Sequence, residues 1–151
     1  MAALLRRYGL YAAWVVSIVA TMGSLYFSEV RGFIPCELCW FQRIFMYPLP
    51  IVLGIATYRD DRAVARYVLP LTVVGGSIST VHYLMQRGVI HWDAACSPAA
   101  PCTAQWINWW GFVTIPFLAG TAFALITLFL AFAAKGEHAE GAGEPVESAG
   151  L

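Results

Sequence analysis

Four stretches of this chain run without a charged residue: Gly9–Phe27, Ile44–Tyr58, Tyr67–Gln86 and Ile107–Ala134. A helix that crosses a bilayer needs roughly 20 apolar residues, and in lipid it must satisfy its own backbone polar groups. The first, third and fourth stretches are long enough. The second reaches only about 22 Å as a helix, against a hydrocarbon core of about 30 Å. Its helix must therefore begin upstream, near Leu38, which draws Arg43 into the rim of the apolar layer. Composition agrees: 60% of residues are hydrophobic and 12% charged, against about 25% charged in an average soluble domain. The expected fold is an all-α membrane protein, a bundle of four transmembrane helices with spans at about 9–28, 38–58, 67–86 and 110–134. Residues 1–135 make the membrane domain. Residues 136–151, Gly-, Ala- and Glu-rich and without an aromatic residue, are expected to form a disordered cytoplasmic tail. A net charge of zero suggests no nucleic-acid partner.

The first span could be taken for a signal peptide, since Arg6 and Arg7 give it a basic start. Its apolar run is longer than a usual signal core, and no Ala-x-Ala site precedes Glu29. It reads as a retained helix.

Basic residues sort the loops. Arg6, Arg7, Arg59, Arg62, Arg66 and Lys135 fall on one side, and Arg31, Arg43 and Arg87 on the other. That bias places both termini in the cytoplasm. All four cysteines then lie outside, in the connections 28–43 and 87–106, where an oxidising compartment permits disulfides. The second connection carries Trp92 and Trp106, with Trp109 and Trp110 just beyond. Tryptophans at that density favour the lipid–water interface.

Cys36 and Cys39 frame a C-x-x-C motif at the mouth of the second span, while Cys96 and Cys102 share the other connection. Four cysteines allow three pairings, and three explanations compete. Structural staples serve small domains short of apolar burial, which this chain is not. A zinc site built from all four cysteines would use the C-x-x-C half well, but the wider Cys96–Cys102 spacing poorly, and it leaves Arg43 unexplained. Exchangeable disulfides that relay electrons need a thiolate, an accessible sulfur and a good leaving group. The first pair stands at a helix start, where the helix dipole and Arg43 favour a thiolate. The second lies in a Pro-punctuated loop, Ser97-Pro98-Ala99-Ala100-Pro101, that another protein can reach. The relay explains most of these features.

Two further residues stand out. Arg43 follows Cys39 by four residues, on the same helical face one turn deeper. It either snorkels to headgroups or serves a ligand and a neighbouring thiolate. His82 lies late in the third span, four residues before Gln86. Ionisable residues are rare in spans. This one is either bonded to a neighbouring helix or available to a carbonyl-bearing cofactor and its protons.

The run Pro35-Cys36-Glu37-Leu38-Cys39-Trp40-Phe41-Gln42-Arg43-Ile44-Phe45-Met46-Tyr47-Pro48, with Pro101-Cys102-Thr103 and Ile107-Asn108-Trp109-Trp110-Gly111-Phe112-Val113-Thr114-Ile115-Pro116-Phe117, resembles the DsbB family of thiol oxidases. It is closer to the short BdbC-like branch than to the enterobacterial form. The resemblance covers roughly residues 8–134. It implies that a secreted thioredoxin-fold partner of DsbA or BdbD type attacks a Cys96–Cys102 disulfide, through Cys96. Electrons then pass to Cys36–Cys39, and Cys39 beside Arg43 delivers them to a membrane quinone, ubiquinone or menaquinone. His82 matches a family histidine near the quinone. No metal is implied. Gln42 stands where some members carry an acidic residue, so no acid is assigned there. The interval between Cys96 and Cys102 is much shorter than in enterobacterial members, which favours a direct bridge between them.

Rival functions are an outward carrier of reducing equivalents, a vitamin K epoxide reductase-like enzyme, and a non-catalytic scaffold held by structural disulfides or zinc. The first needs cysteines reachable from the inner face, and the sequence places none there. The Cys-Glu-Leu-Cys-Trp context and the cysteine order speak against the second.

Overall fold

The computed structural model describes residues 2–92, 96 and 100–141. Ser97, Pro98, Ala99 and the tail from residue 142 onward, which figure in the sequence reading, lie outside them. Helix α1 spans Ala2–Leu25 and continues through a wider π-helical turn, Tyr26–Val30. Helices α2 (Glu37–Met46) and α3 (Leu49–Arg59) follow, then a 3₁₀ turn at Arg62–Val64. Helix α4 covers Ala65–Gln86 and α5 covers Ile115–Gly141. Four helical segments are long and apolar enough to cross a membrane: Arg7–Val30, Glu37–Arg59, Arg62–Gln86 and Ile115–Lys135. The protein is an all-helical, multi-pass membrane bundle.

The second span does start upstream of its uncharged run and so carries Arg43 inside it. It is two helices set end to end, because Pro48 and Pro50 cannot donate backbone hydrogen bonds. Local bonds bridge the break, Tyr47 N–H to the Arg43 carbonyl at 2.8 Å and Val52 N–H to the Pro48 carbonyl at 3.0 Å. The Trp14 indole N–H on α1 donates to the Pro50 carbonyl at 3.0 Å. Gly54 leaves room for that ring, since a Cβ there would lie 2.9 Å from Trp14 Nε1.

Helix α5 packs on both α1 and α4. In lipid, close packing of small residues drives such contacts. A Cβ on Gly9 would stand 2.7 Å from the Phe129 carbonyl oxygen, and one on Gly75 would clash with the tip of the Phe123 ring. The shared core holds Leu10, Leu49, Leu53, Phe123, Ile126 and Leu130, all buried. Thr127 donates to Thr72 across α5 and α4 at 2.8 Å.

The last span begins at Ile115, later than the uncharged run suggests. Trp109 and Val113 exchange two backbone hydrogen bonds of 3.0 Å around a tight turn. That turn needs positive φ at Trp110 (53°) and Gly111 (79°), a conformation no helix can hold. Pro116 then sits in the first turn of α5, where its missing N–H costs nothing. At the other end, α5 runs past Lys135 to Gly141.

Candidate redox site

Cys36 caps α2 from an extended backbone (φ −72°, ψ 173°), so its sulfur sits at the positive end of the helix dipole. Cys39 is one turn further on. The two sulfurs are 2.9 Å apart and both cysteines are free. The Cys39 thiol hydrogen-bonds to Cys36 and pulls the Cys36 thiol down to about 4, against the opposing effect of burial; His82 adds a smaller lowering. Of the two sulfurs, Cys36 therefore carries the negative charge.

Cys96 and Cys102 form a disulfide. Cys102 is 1% exposed, whereas Cys96 is only partly covered. Cys36, Leu38, Met85 and Cys102 share one small buried cluster, with Cys39 and Cys96 packed against it. The four cysteines, from two connections far apart in sequence, thus converge at one end of the bundle. Gln86 and its neighbours fix the loop that brings Cys102 there. The Gln86 side-chain amide donates to the Ala104 carbonyl at 3.1 Å, and Gln105 donates to the Gln86 carbonyl at 3.0 Å. Trp106 stacks on Phe33, with centroids 5.4 Å apart, and Phe33 stacks on Phe27 at 6.0 Å. This column of rings ties the loop to the end of α1.

His82, 1% exposed, stands between the pairs. Its Nε2 lies 3.6 Å from Cys36 Sγ and 3.1 Å from the Cys102 carbonyl oxygen. Its Nδ1 lies 3.0 Å from Gln42 Nε2. Gln42 was missed as a site residue in the sequence. The available signal was a glutamine on the buried stripe Leu38–Gln42–Met46 of an amphipathic helix.

On the other side of the C-x-x-C motif lies a cavity of about 470 Å³, walled by α1, α2 and α5. Cys39, Gln42 and Arg43 line it, with Val19, Phe27 and Leu118 among its apolar walls. Arg43 donates to the Ser24 carbonyl at 3.4 Å, and its guanidinium lies 5.3 Å from the Trp40 ring centre and 5.9 Å from that of Tyr47. The Tyr47 and Ser24 hydroxyls are 3.1 Å apart. His82 is not part of this wall. It borders a far smaller space shared with Cys36, Cys39 and Gln86. Arg43 and His82, both expected near a cofactor, thus line different spaces beside the cysteine pair.

A four-cysteine zinc site is not what the chain builds, because Cys96 and Cys102 spend their sulfurs on each other. The donor atoms of Cys36, Cys39 and His82 do lie within 4.8 Å of one another. Two thiolates on a tetrahedral zinc stand about 3.8 Å apart, however, wider than the 2.9 Å here.

Four membrane-length helices with two cysteine pairs stacked at one end define a multi-pass membrane protein equipped for thiol–disulfide chemistry. Comparison with known proteins makes the assignment narrower. The family model for Disulfide bond formation protein DsbB matches residues 6–135, and the chain belongs to that family. It is 54% identical over 136 residues to Disulfide bond formation protein C of Bacillus subtilis strain 168, covering 87% of this chain and 95% of that protein. It is 50% identical to "Probable disulfide formation protein C 1" of Bacillus anthracis, over 82% of this chain and 89% of the relative. It is 45% identical to "Probable disulfide formation protein" of Coxiella burnetii strain Dugway 5J108-111, over 86% and 90%. No solved structure matches. Membership carries thiol oxidoreductase activity in disulfide formation.

Proposed function

We propose that this protein re-oxidises a secreted, thioredoxin-fold dithiol partner of DsbA or BdbD type and passes the electrons to a membrane quinone. One observation carries the reading: the Cys36–Cys39 pair lies between the Cys96–Cys102 disulfide and the 470 Å³ cavity.

The cavity fits a quinone. Its volume falls in the usual range for small-molecule sites, its walls are mostly apolar, and a few polar groups converge in it. A bound quinone would supply a sink for two electrons and two protons. Arg43, Tyr47 and Ser24 offer hydrogen-bonding groups to a ring carbonyl, and Cys39 presents its sulfur at the same wall. Apolar side chains of α1 and α5 line the chamber, and in low-dielectric surroundings the field of Arg43 on anything bound there is stronger than in water.

The thiol steps follow from exposure. The partner's thiolate attacks Cys96, the less covered sulfur, and Cys102 leaves as a thiolate. Cys102 then attacks Cys36 of an oxidised Cys36–Cys39 pair, and Cys39 is the leaving thiolate. The partner's second thiolate resolves the mixed disulfide and frees Cys96, which attacks Cys102 and releases Cys36. The balance is one dithiol oxidised in the partner and one formed at Cys36 and Cys39, two electrons in all. A closed outer bridge beside a free inner pair, the arrangement described above, is the state that follows.

The loop-charge bias supports an extracytoplasmic position for all four cysteines and a cytoplasmic one for both termini. It also supports residues 1–135 as the membrane domain. The test mixes purified protein with a reduced DsbA-like partner and a soluble quinone and follows quinone absorbance. Stoichiometric quinone loss with partner oxidation is expected. Partner oxidation that ignores quinone, or none at all, would defeat the reading in favour of a scaffold with structural disulfides.

A further inference from the structure

The two nitrogens of His82 face partners that determine where its proton sits. A backbone carbonyl oxygen can only accept a hydrogen bond. The Cys102 carbonyl lies 3.1 Å from Nε2, so Nε2 carries the hydrogen. In a neutral ring Nδ1 is then bare and needs a donor. The Gln42 side-chain NH₂ supplies one at 3.0 Å. The opposite orientation of the Gln42 amide would point an oxygen at Nδ1. It would then demand a hydrogen on both nitrogens, an imidazolium in a site where His82 is 1% and Gln42 5% exposed. With the amide turned to donate, both ring nitrogens are satisfied by a single ring hydrogen. The Nε2 hydrogen points into the junction between the cysteine pairs, with the Cys102 carbonyl and Cys36 Sγ as its acceptors.

We propose that Gln42 is a positioning residue that locks His82 in its Nε2–H tautomer, so that one imidazole hydrogen holds the Cys102 backbone against the Cys36 sulfur and aligns the two cysteine pairs for exchange. This rests on the relay described above. It gives His82 a task between the disulfides instead of at the cavity, whose wall it does not join. It also gives a reason for an amide at position 42. A carboxylate there can only accept from Nδ1, which would make the ring cationic while Nε2 keeps its hydrogen. An apolar residue would leave Nδ1 without a donor and only the Cys102 carbonyl to favour the tautomer.

The test is ¹⁵N NMR of the full-length protein in lipid nanodiscs, labelled at histidine, with the His82 ring identified by its loss in His82→Ala. The wild type should show a protonated Nε2 and a bare Nδ1. Gln42→Met should give a mixture of both tautomers, and Gln42→Glu a doubly protonated ring. In single-turnover mixing with a reduced partner, Gln42→Met should slow electron arrival at Cys36–Cys39 about tenfold, the effect of one lost buried hydrogen bond. A wild-type ring protonated at Nδ1 and bare at Nε2 would overturn the proposal. So would a Gln42→Met protein with an unchanged tautomer and an unchanged exchange rate. If Gln42→Met does not fold, the wild-type spectrum still decides. The spectrum needs no turnover, so a protein that shows the Nε2–H ring yet exchanges no disulfides would refute the relay and leave the tautomer assignment intact.

Discussion

His82 Nε2 lies 3.1 Å from the carbonyl oxygen of Cys102, a contact that joins the third span to the loop carrying the outer disulfide. The same nitrogen is 3.6 Å from Cys36. One ring therefore touches a residue of each cysteine pair.

The charge on Cys36 should be visible in its reactivity. Its thiol is lowered to about 4 by the Cys39 hydrogen bond, so it is a thiolate above that pH and gains a proton only as pH falls through it. In the reduced protein, the rate of Cys36 modification by a small alkylating reagent should stay flat between pH 6 and 8. An ordinary thiol, with a pKa near 8.5, would speed up by nearly two orders of magnitude over that window. Mass spectrometry of the alkylated peptide reads the rate. A steep rise with pH would remove the thiolate from Cys36.

Burial separates the two outer cysteines. Cys102→Ser should trap a mixed disulfide between the partner and Cys96 when oxidised partner is added. Cys96→Ser should trap little, because Cys102 is 1% exposed. Non-reducing gels decide, and equal trapping at both positions would contradict the proposed point of attack. Cys96→Ser should also stop turnover with the protein partner, whereas Cys39→Ser should abolish quinone reduction altogether.

Arg43 faces the cavity, so Arg43→Ala should act chiefly on quinone binding. We expect the apparent KM for quinone to rise about tenfold, since a hydrogen bond to a charged group contributes roughly 1.5 kcal/mol. The KM for the protein partner should change little. An unaltered quinone KM would place Arg43 outside the site.

Gly75 meets the Phe123 ring where α4 crosses α5. Gly75→Val should force these helices apart and lower stability by about 1–3 kcal/mol, the usual cost of overpacking. Thermal unfolding in detergent measures it. Pairing Gly75→Val with Phe123→Ala should recover part of the loss.

The bundle was legible because uncharged runs of membrane length leave few other folds open. The short second run even required a start upstream of Arg43, and the helix begins at Glu37. The start of the last span was not legible. It depends on the left-handed backbone of Trp110, and a tryptophan gives no local sign of that conformation as a glycine would. In the site, the cysteines and Arg43 announced themselves by spacing. His82 was visible as an ionisable residue in a span, but its partners come from α2 and the second connection and depend on how α4 is rotated. Gln42 carries no charge and belongs to no spacing motif, so its residue type gives no sign of a role. Its place on a buried stripe was the better clue.

The C-x-x-C motif is oriented so that Cys36 meets the outer disulfide while Cys39 forms part of an oily chamber wall. A water-borne reagent and a fat-soluble one can thus be served in turn by neighbouring atoms of a single helical turn. On the proposed relay neither would have to enter the other's phase, and this end of the protein would serve as a liquid–liquid contactor with a sulfur membrane one turn thick.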